Sequence, residues 1–162
     1  MQLPLNFEGD VQAQESRFYK DGHTILWGDS LSIMADQIAD RSINLIFADP
    51  PYNIGKNFAG FRDQWASDEA YVHWCYQWLD LCIAKLAPNG SMYIMASTQQ
   101  MPDIDVYLRS KIHILSRIVW TYDSSGVQAR KYFGSAYEPI LFCVKNPKGN
   151  YSGVVFPLIL AN

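Results

Sequence analysis

The sequence is short of the features that would send it out of a reducing compartment or through a membrane. It has three cysteines, Cys75, Cys82 and Cys143, in 162 residues. Three cannot all pair and none has metal-ligand spacing, so neither a disulfide framework nor a bound metal is expected. A reduced cytoplasmic setting is the simplest reading. No apolar run reaches the roughly 18–20 residues of a membrane span. Met1-Gln2-Leu3-Pro4 does not begin a basic region followed by an apolar stretch, so no signal peptide is expected. Positive charge is also scarce: 13 Lys and Arg face 16 Asp and Glu, a net −3. No global field draws in a polyanion, and a nucleic-acid reader of this balance must concentrate its basic groups locally.

What remains is a globular composition, 49% hydrophobic and 18% charged. This length supports one domain with a real core and is short for two. The aromatic share, 14%, suits a dense core or base-stacking surfaces. Cys75 and Cys82 lie seven residues apart, about two helical turns, and read as small buried groups on one helix face.

One stretch organises the chain: Ile43-Asn44-Leu45-Ile46-Phe47-Ala48-Asp49-Pro50-Pro51-Tyr52-Asn53-Ile54-Gly55. The run from Ser42 to Ala48 is nearly continuously apolar, the pattern of a central strand covered on both faces. Pro50 and Pro51 cannot continue a ladder, so Asp49 falls at the strand's carboxyl end. In an open α/β sheet that edge is where ligands bind. A carboxylate, proline carbonyls and an aromatic face within four residues suit a planar base bearing an exocyclic amino group: the acceptors take its N–H groups, and stacking adds about 1–3 kcal/mol.

Around this stretch the chain alternates. Strands are expected near 24–27, 43–48, 91–96, 112–120 and 140–144, and helices near 30–39, 67–86 and 99–109. Residues 1–23 read as a leader, irregular through 20, where Arg17, Lys20 and His23 are scattered surface charges. Gly28-Asp29 ends the first strand, making Asp29 either a helix N-cap or a second carboxylate at the edge that carries Asp49. Residues 53–65 lack helical period, and Lys56 and Arg62 there are phosphate contacts or solvated loop charges. Tyr71, Trp74, Cys75, Trp78, Leu79, Cys82, Ile83 and Leu86 form a core-facing helical stripe. Pro88-Asn89-Gly90 is a turn, its glycine open to positive φ, and Ser97-Thr98 caps the last helix. A polar, glycine-punctuated loop separates the last two strands, which should therefore be antiparallel. Within it Arg130-Lys131 stands beside Tyr132-Phe133, a phosphate-neutralising pair or an ordinary hairpin loop.

Asp49-Pro50-Pro51-Tyr52 resembles the DPPY motif of the amino-methyltransferases. From Thr24 to Lys145 the chain is similar to the catalytic half of a β-class DNA adenine methyltransferase, of the orphan or restriction-modification kind. The later Ser-Gly-rich basic loop followed by Tyr137-Glu138-Pro139-Ile140 extends the likeness. It implies a Rossmann-like α/β fold dependent on S-adenosyl-L-methionine, and direct methyl transfer to adenine in DNA without a covalent enzyme intermediate. Carried over by position, Asp49 and Pro50 hold the target amino group beside Pro51, and Tyr52 stacks on the flipped base. Asp29 and Asp49 border the cofactor, while Lys56, Arg130 and Lys131 contact DNA.

One part of that pattern is missing. The Phe-x-Gly-x-Gly cofactor loop, which follows a target-recognition segment in that class, does not occur in these residues. The apolar tail after Asn146 fits no part of the pattern and reads as an extra strand or a truncated or frame-shifted gene. The expected organisation is thus a leader (1–23), a partial catalytic domain with an incomplete sheet (24–146) and an atypical tail (147–162). A sheet lacking strands exposes apolar edges. Beside the enzyme stands a second reading: a remnant or split half that binds DNA, a complementing chain or its own copy without turnover. A third, methylation of another amine or amide in RNA or protein, sits poorly with aspartate at the motif's first position.

Overall fold

The computed structural model describes residues 16–58, 61–123, 134–149 and 151. A hairpin comes first: β1 (Ser16–Lys20) pairs antiparallel with β2 (His23–Trp27). Its two-residue turn, Asp21-Gly22, has positive φ at both positions, 51° and 81°, the backbone that matches the twist of the flanking strands. The segment expected to be irregular up to residue 20 therefore ends in a strand. The hairpin is also a sheet of its own, so β2 does not share a hydrogen-bonded sheet with the strand that precedes Asp49.

Helix α1 (Ser30–Gln37) follows, and then β3 (Ile43–Ala48). Helix α2 (Asp68–Lys85) is capped by the Ser67 side chain, which accepts from the Ala70 N–H, and opens with acidic Asp68 and Glu69. Those carboxylates favour the positive end of the helix dipole. Its buried stripe, Tyr71, Cys75, Trp78, Leu79 and Cys82, is the one its spacing predicts. β6 (Leu86–Met95), α3 (Met101–Arg109), β7 (His113–Thr121) and β8 (Tyr137–Val144) complete the main layer; β4 (Asn57–Phe58) and β5 (Phe61–Arg62) form a small separate ribbon.

The main sheet runs β3-β6-β8-β7. β3 and β6 are parallel across the α2 connection; β8 is antiparallel to β7, as the loop between them predicts, and also to β6. Ile46, Met92, Ile94, Leu141 and Cys143 turn one face of the sheet toward α2 and α3, where they join Tyr71, Leu79, Ile104 and Leu108 in the core. The other face is different. Leu45 and Phe47 alternate onto it and are 37% and 59% exposed. β3 is thus an edge strand with one open face, not a strand buried on both.

Two local expectations also change. Residues 86–90 continue as strand, and the register slips between Ile43 and Leu45 to absorb them. Gly90 is not among the positive-φ residues; it is needed for space, because a Cβ there would meet the Ile43 carbonyl oxygen at 2.8 Å. At α3 the N-cap is Gln100 rather than Ser97 or Thr98. Ser97 still serves the helix start, its Oγ accepting from the Gln100 N–H at 3.2 Å.

Candidate active site

Strand direction gathers the site. β3 and β6 are parallel, so Asp49 leaves β3 at the same edge at which β6 reaches Met95. β8 runs the other way, and its Ile140 pairs with Met95. Glu138, two residues earlier, therefore stands at the edge that carries Asp49. An open cleft of about 500 Å³ lies there, lined by Asp49, Pro50, Tyr52, Lys56, Trp120 and Glu138 among others.

The backbone of the motif is held from outside its own sequence. Asp63 is 1% exposed and its carboxylate accepts the N–H groups of Tyr52, Asn53 and Ile54 at 3.1, 2.6 and 3.4 Å. Asn53 adopts φ 58°, a left-handed conformation that asparagine tolerates better than most residues. Its side chain accepts from the Trp65 N–H at 2.8 Å and donates to Asp68 at 3.0 Å. Tyr71, fully buried on α2, donates its hydroxyl to the Pro51 carbonyl at 2.6 Å. Residues 53–58 and 61–65, read from sequence as a loop without helical period, form a folded clamp. Gly55 N–H donates to the Asp63 carbonyl at 2.7 Å and Asp63 N–H to the Lys56 carbonyl at 2.9 Å, closing the β4–β5 ribbon at its base.

Within the cleft the Tyr52 hydroxyl lies 2.8 Å from Asp49 Oδ1 and 2.9 Å from Glu138 Oε2. Burial, and then its hydrogen bonds to Asp49 and Glu138, push the phenol well above its ordinary range, so it stays protonated. Trp120, 54% exposed at the rim, offers a second aromatic surface opposite solvent.

The other sequence-predicted residues are distributed unevenly. Asp29 caps α1, its Oδ2 accepting from the Ser32 N–H at 2.8 Å and the Ser32 hydroxyl at 2.9 Å; it is not among the residues lining this cleft. Lys56 is exposed at the cleft, whereas Arg62 lines a neighbouring groove with Asn53, Trp65 and Asp68. Arg17, Lys20 and His23 are exposed on the β1–β2 hairpin. Arg130 and Lys131, with the rest of residues 124–133, and the tail beyond Tyr151 lie outside the described residues. All three cysteines are buried and unpaired. Burial pushes Cys75 and Cys82 up to about 11 and Cys143 to about 12, so none is an activated nucleophile. Among the described residues no helix is long and apolar enough to cross a membrane.

Two residues of the site, Asp63 and Trp120, were not singled out by sequence, and Glu138 was read only as part of Tyr137-Glu138-Pro139-Ile140, with no role of its own. The signal for Glu138 was its place at the start of a strand whose direction was predicted correctly. Asp63 and Trp120 carried none beyond residue type.

Comparison with known proteins places this geometry. A family model described as DNA methylase, of the N6/N4 methyltransferase type, matches residues 43–156. The chain is 50% identical over 139 residues to the DNA adenine methyltransferase YhdJ of Escherichia coli (strain K12), covering 86% of this chain and 46% of that protein. It is 32% identical over 148 residues to the type II methyltransferase M.BamHI of Bacillus amyloliquefaciens, covering 90% and 34%. It thus spans about half the length, or less, of these curated relatives. The PvuII cytosine-N4-specific DNA methyltransferase superposes with a TM-score of 0.57 at 14% identity over 77% of this chain and 49% of that one, a likeness of fold. The architecture is the Rossmann-like methyltransferase fold with an incomplete sheet, and the motif that ends β3 lies inside the matched span: the chain belongs to the DNA methylase family.

Proposed function

We propose that this chain carries the amino-binding half of an adenine-specific DNA methyltransferase. The carrying observation is the edge of the sheet, where Asp49, Pro50, Pro51 and Tyr52 line one cleft. Asp49 accepts one N–H of the exocyclic amino group. The Pro51 carbonyl already takes the Tyr71 hydroxyl, so the second N–H falls to Pro50. Tyr52 stacks on the base, with Trp120 at the rim, after the base leaves its duplex. Asp49 acts by accepting and orienting rather than as a strong base, since an amine attacking a sulfonium loses its proton late. The similarity to YhdJ, named a DNA adenine methyltransferase, supports adenine as the base.

S-adenosyl-L-methionine supplies a methyl group on a positively charged sulfur, and the exposed Asp49 carboxylate beside the open edge of β3 suits that cation and its ammonium group. Asp29 is the second carboxylate assigned to it, and its capping bonds leave Oδ1 for the purpose. Lys56, Arg130 and Lys131 are assigned to DNA phosphates. Replacing Arg130 and Lys131 by alanine is expected to weaken duplex binding across sequences and lower the salt slope by about 0.9 per lost contact. A slope identical to the parent removes them from the interface. Free, buried thiols support action in the reducing cytoplasm.

A second reading follows from one surface: among the described residues no strand pairs with the outer edge of β3, and Leu45 and Phe47 are exposed on its open face. That surface fits a complementing chain or a second copy, and the binding half then works only within an assembly. Calorimetric titration with S-adenosyl-L-methionine, followed by a methylation assay on adenine-containing duplex, separates the two. Saturable binding and methyl transfer by the chain alone support the enzyme; transfer only after a complementing chain is added supports the second reading. No transfer in either setting defeats both.

A further inference from the structure

We propose that Glu138 is a positioning residue that takes over the Tyr52 hydroxyl whenever an amino group takes Asp49. The inference rests on the reading of the cleft as an amino-base site, and on a count of protons. A tyrosine hydroxyl has one hydrogen to donate, yet two carboxylates stand at nearly equal hydrogen-bonding distance from it, 2.8 Å to Asp49 and 2.9 Å to Glu138. Only one of them receives that hydrogen at a time. Asp49 is also the acceptor that an incoming amino group requires. If Asp49 were the sole partner of the phenol, each base would have to displace the hydroxyl and leave a half-buried O–H unpaired, which is unfavourable.

Glu138 removes that conflict. The O–H rotates about the Cζ–Oη bond from Asp49 to Glu138, and no heavy atom needs to move. The ring stays where it stacks, because its backbone is held separately by Asp63. Asp49 gains a free lone pair facing the base. The two acceptors are far apart in sequence, Asp49 being 3 and Glu138 86 positions from Tyr52; antiparallel β8 brings them together. Lys56 and Asp63 are the other charged groups lining the cleft. Asp63 is committed to backbone N–H groups, and the Lys56 ammonium has no acceptor to offer the phenol.

The test reads the phenol directly. Isotope-edited infrared or carbon-13 NMR of Tyr52 distinguishes a hydroxyl donating to a carboxylate from one facing water. In Asp49→Ala, which imitates loss of the first acceptor, the carboxylate-donor signature is expected to persist. It should persist as a donor to an amide oxygen in Asp49→Ala/Glu138→Gln, which keeps an acceptor oxygen, and vanish in Asp49→Ala/Glu138→Ala. Loss of the signature in Asp49→Ala alone, with circular dichroism showing an intact fold, overturns the inference. A second arm uses methyl transfer by the protein in its active assembly. Glu138→Ala should lower kcat/KM by about tenfold, on the order of one lost hydrogen bond, with Glu138→Gln retaining most of it. A rate unchanged by Glu138→Ala also overturns the inference. An absence of methyl transfer in the parent counts against the function, and the spectroscopic arm then decides the role of Glu138 by itself.

Discussion

Replacing Asp49 by alanine is expected to cut methyl transfer by about a hundred- to a thousandfold, the scale seen when one group that binds developing charge is removed, while leaving the protein folded. Both halves of that expectation come from the same geometry. The Asp49 side chain is exposed and its recorded partner is the Tyr52 hydroxyl, so the fold loses little. The reacting amino group loses the acceptor that orients its lone pair toward the methyl donor. The loss should appear in kcat as well as kcat/KM, because orientation matters most at the transition state. Asp49→Asn, which keeps one acceptor oxygen, should fall between the two. Methylation at the parental rate by Asp49→Ala in single-turnover assays would remove this residue from the chemistry.

Asp63→Ala should have the opposite signature, with the fold suffering first. Three backbone N–H groups converge on a carboxylate that is almost wholly buried. Each buried donor left without a partner costs about 1–3 kcal/mol. Water entering the space left by the side chain recovers part of this, so a loss on the order of 3–5 kcal/mol is expected from the donors left unpaired. Against a typical domain stability of about 5–15 kcal/mol this is severe. Asp63→Asn is the sharper control: it conserves volume but turns an amide NH2 toward backbone donors, and should lose most of the same energy. Urea denaturation followed by circular dichroism measures both. A midpoint for Asp63→Asn within error of the parent would show that the charge of this group is not what holds the turn.

The elements that were legible in the sequence were those written in local pattern. The stripe from Tyr71 to Cys82, the apolar run before Asp49 and the loop before β8 each specify their own structure over a few turns or residues. The Asp21-Gly22 turn was equally local: two residues that take positive φ, set between two short strands, are a strong hairpin signal, yet this segment was read as irregular. The edge position of β3 was hidden for another reason. A continuous apolar run says that a strand can be covered on both faces, not that its neighbours are present, and Leu45 and Phe47 look the same either way. The roles of Asp63 and Glu138 were illegible because their partners lie 9 to 86 residues distant, and an acid without a local partner resembles a solvated one. The position of Gly90 was visible, but its reason was steric and depended on Ile43 across the sheet.

The closed base of the β4–β5 ribbon bears on how such a protein can diversify. Gly55 and Lys56 are fastened to Asp63 by a pair of main-chain bonds, and the Asp63 carboxylate reaches back to the turn that bears Tyr52. That fastening fixes the near ends of β4 and β5 relative to the motif. Lengthening the ribbon between β4 and β5 adds only a slowly growing closure cost, so new segments can be grafted there without moving the stacking ring. The chemistry can stay fixed while the surface around it changes from one lineage to the next.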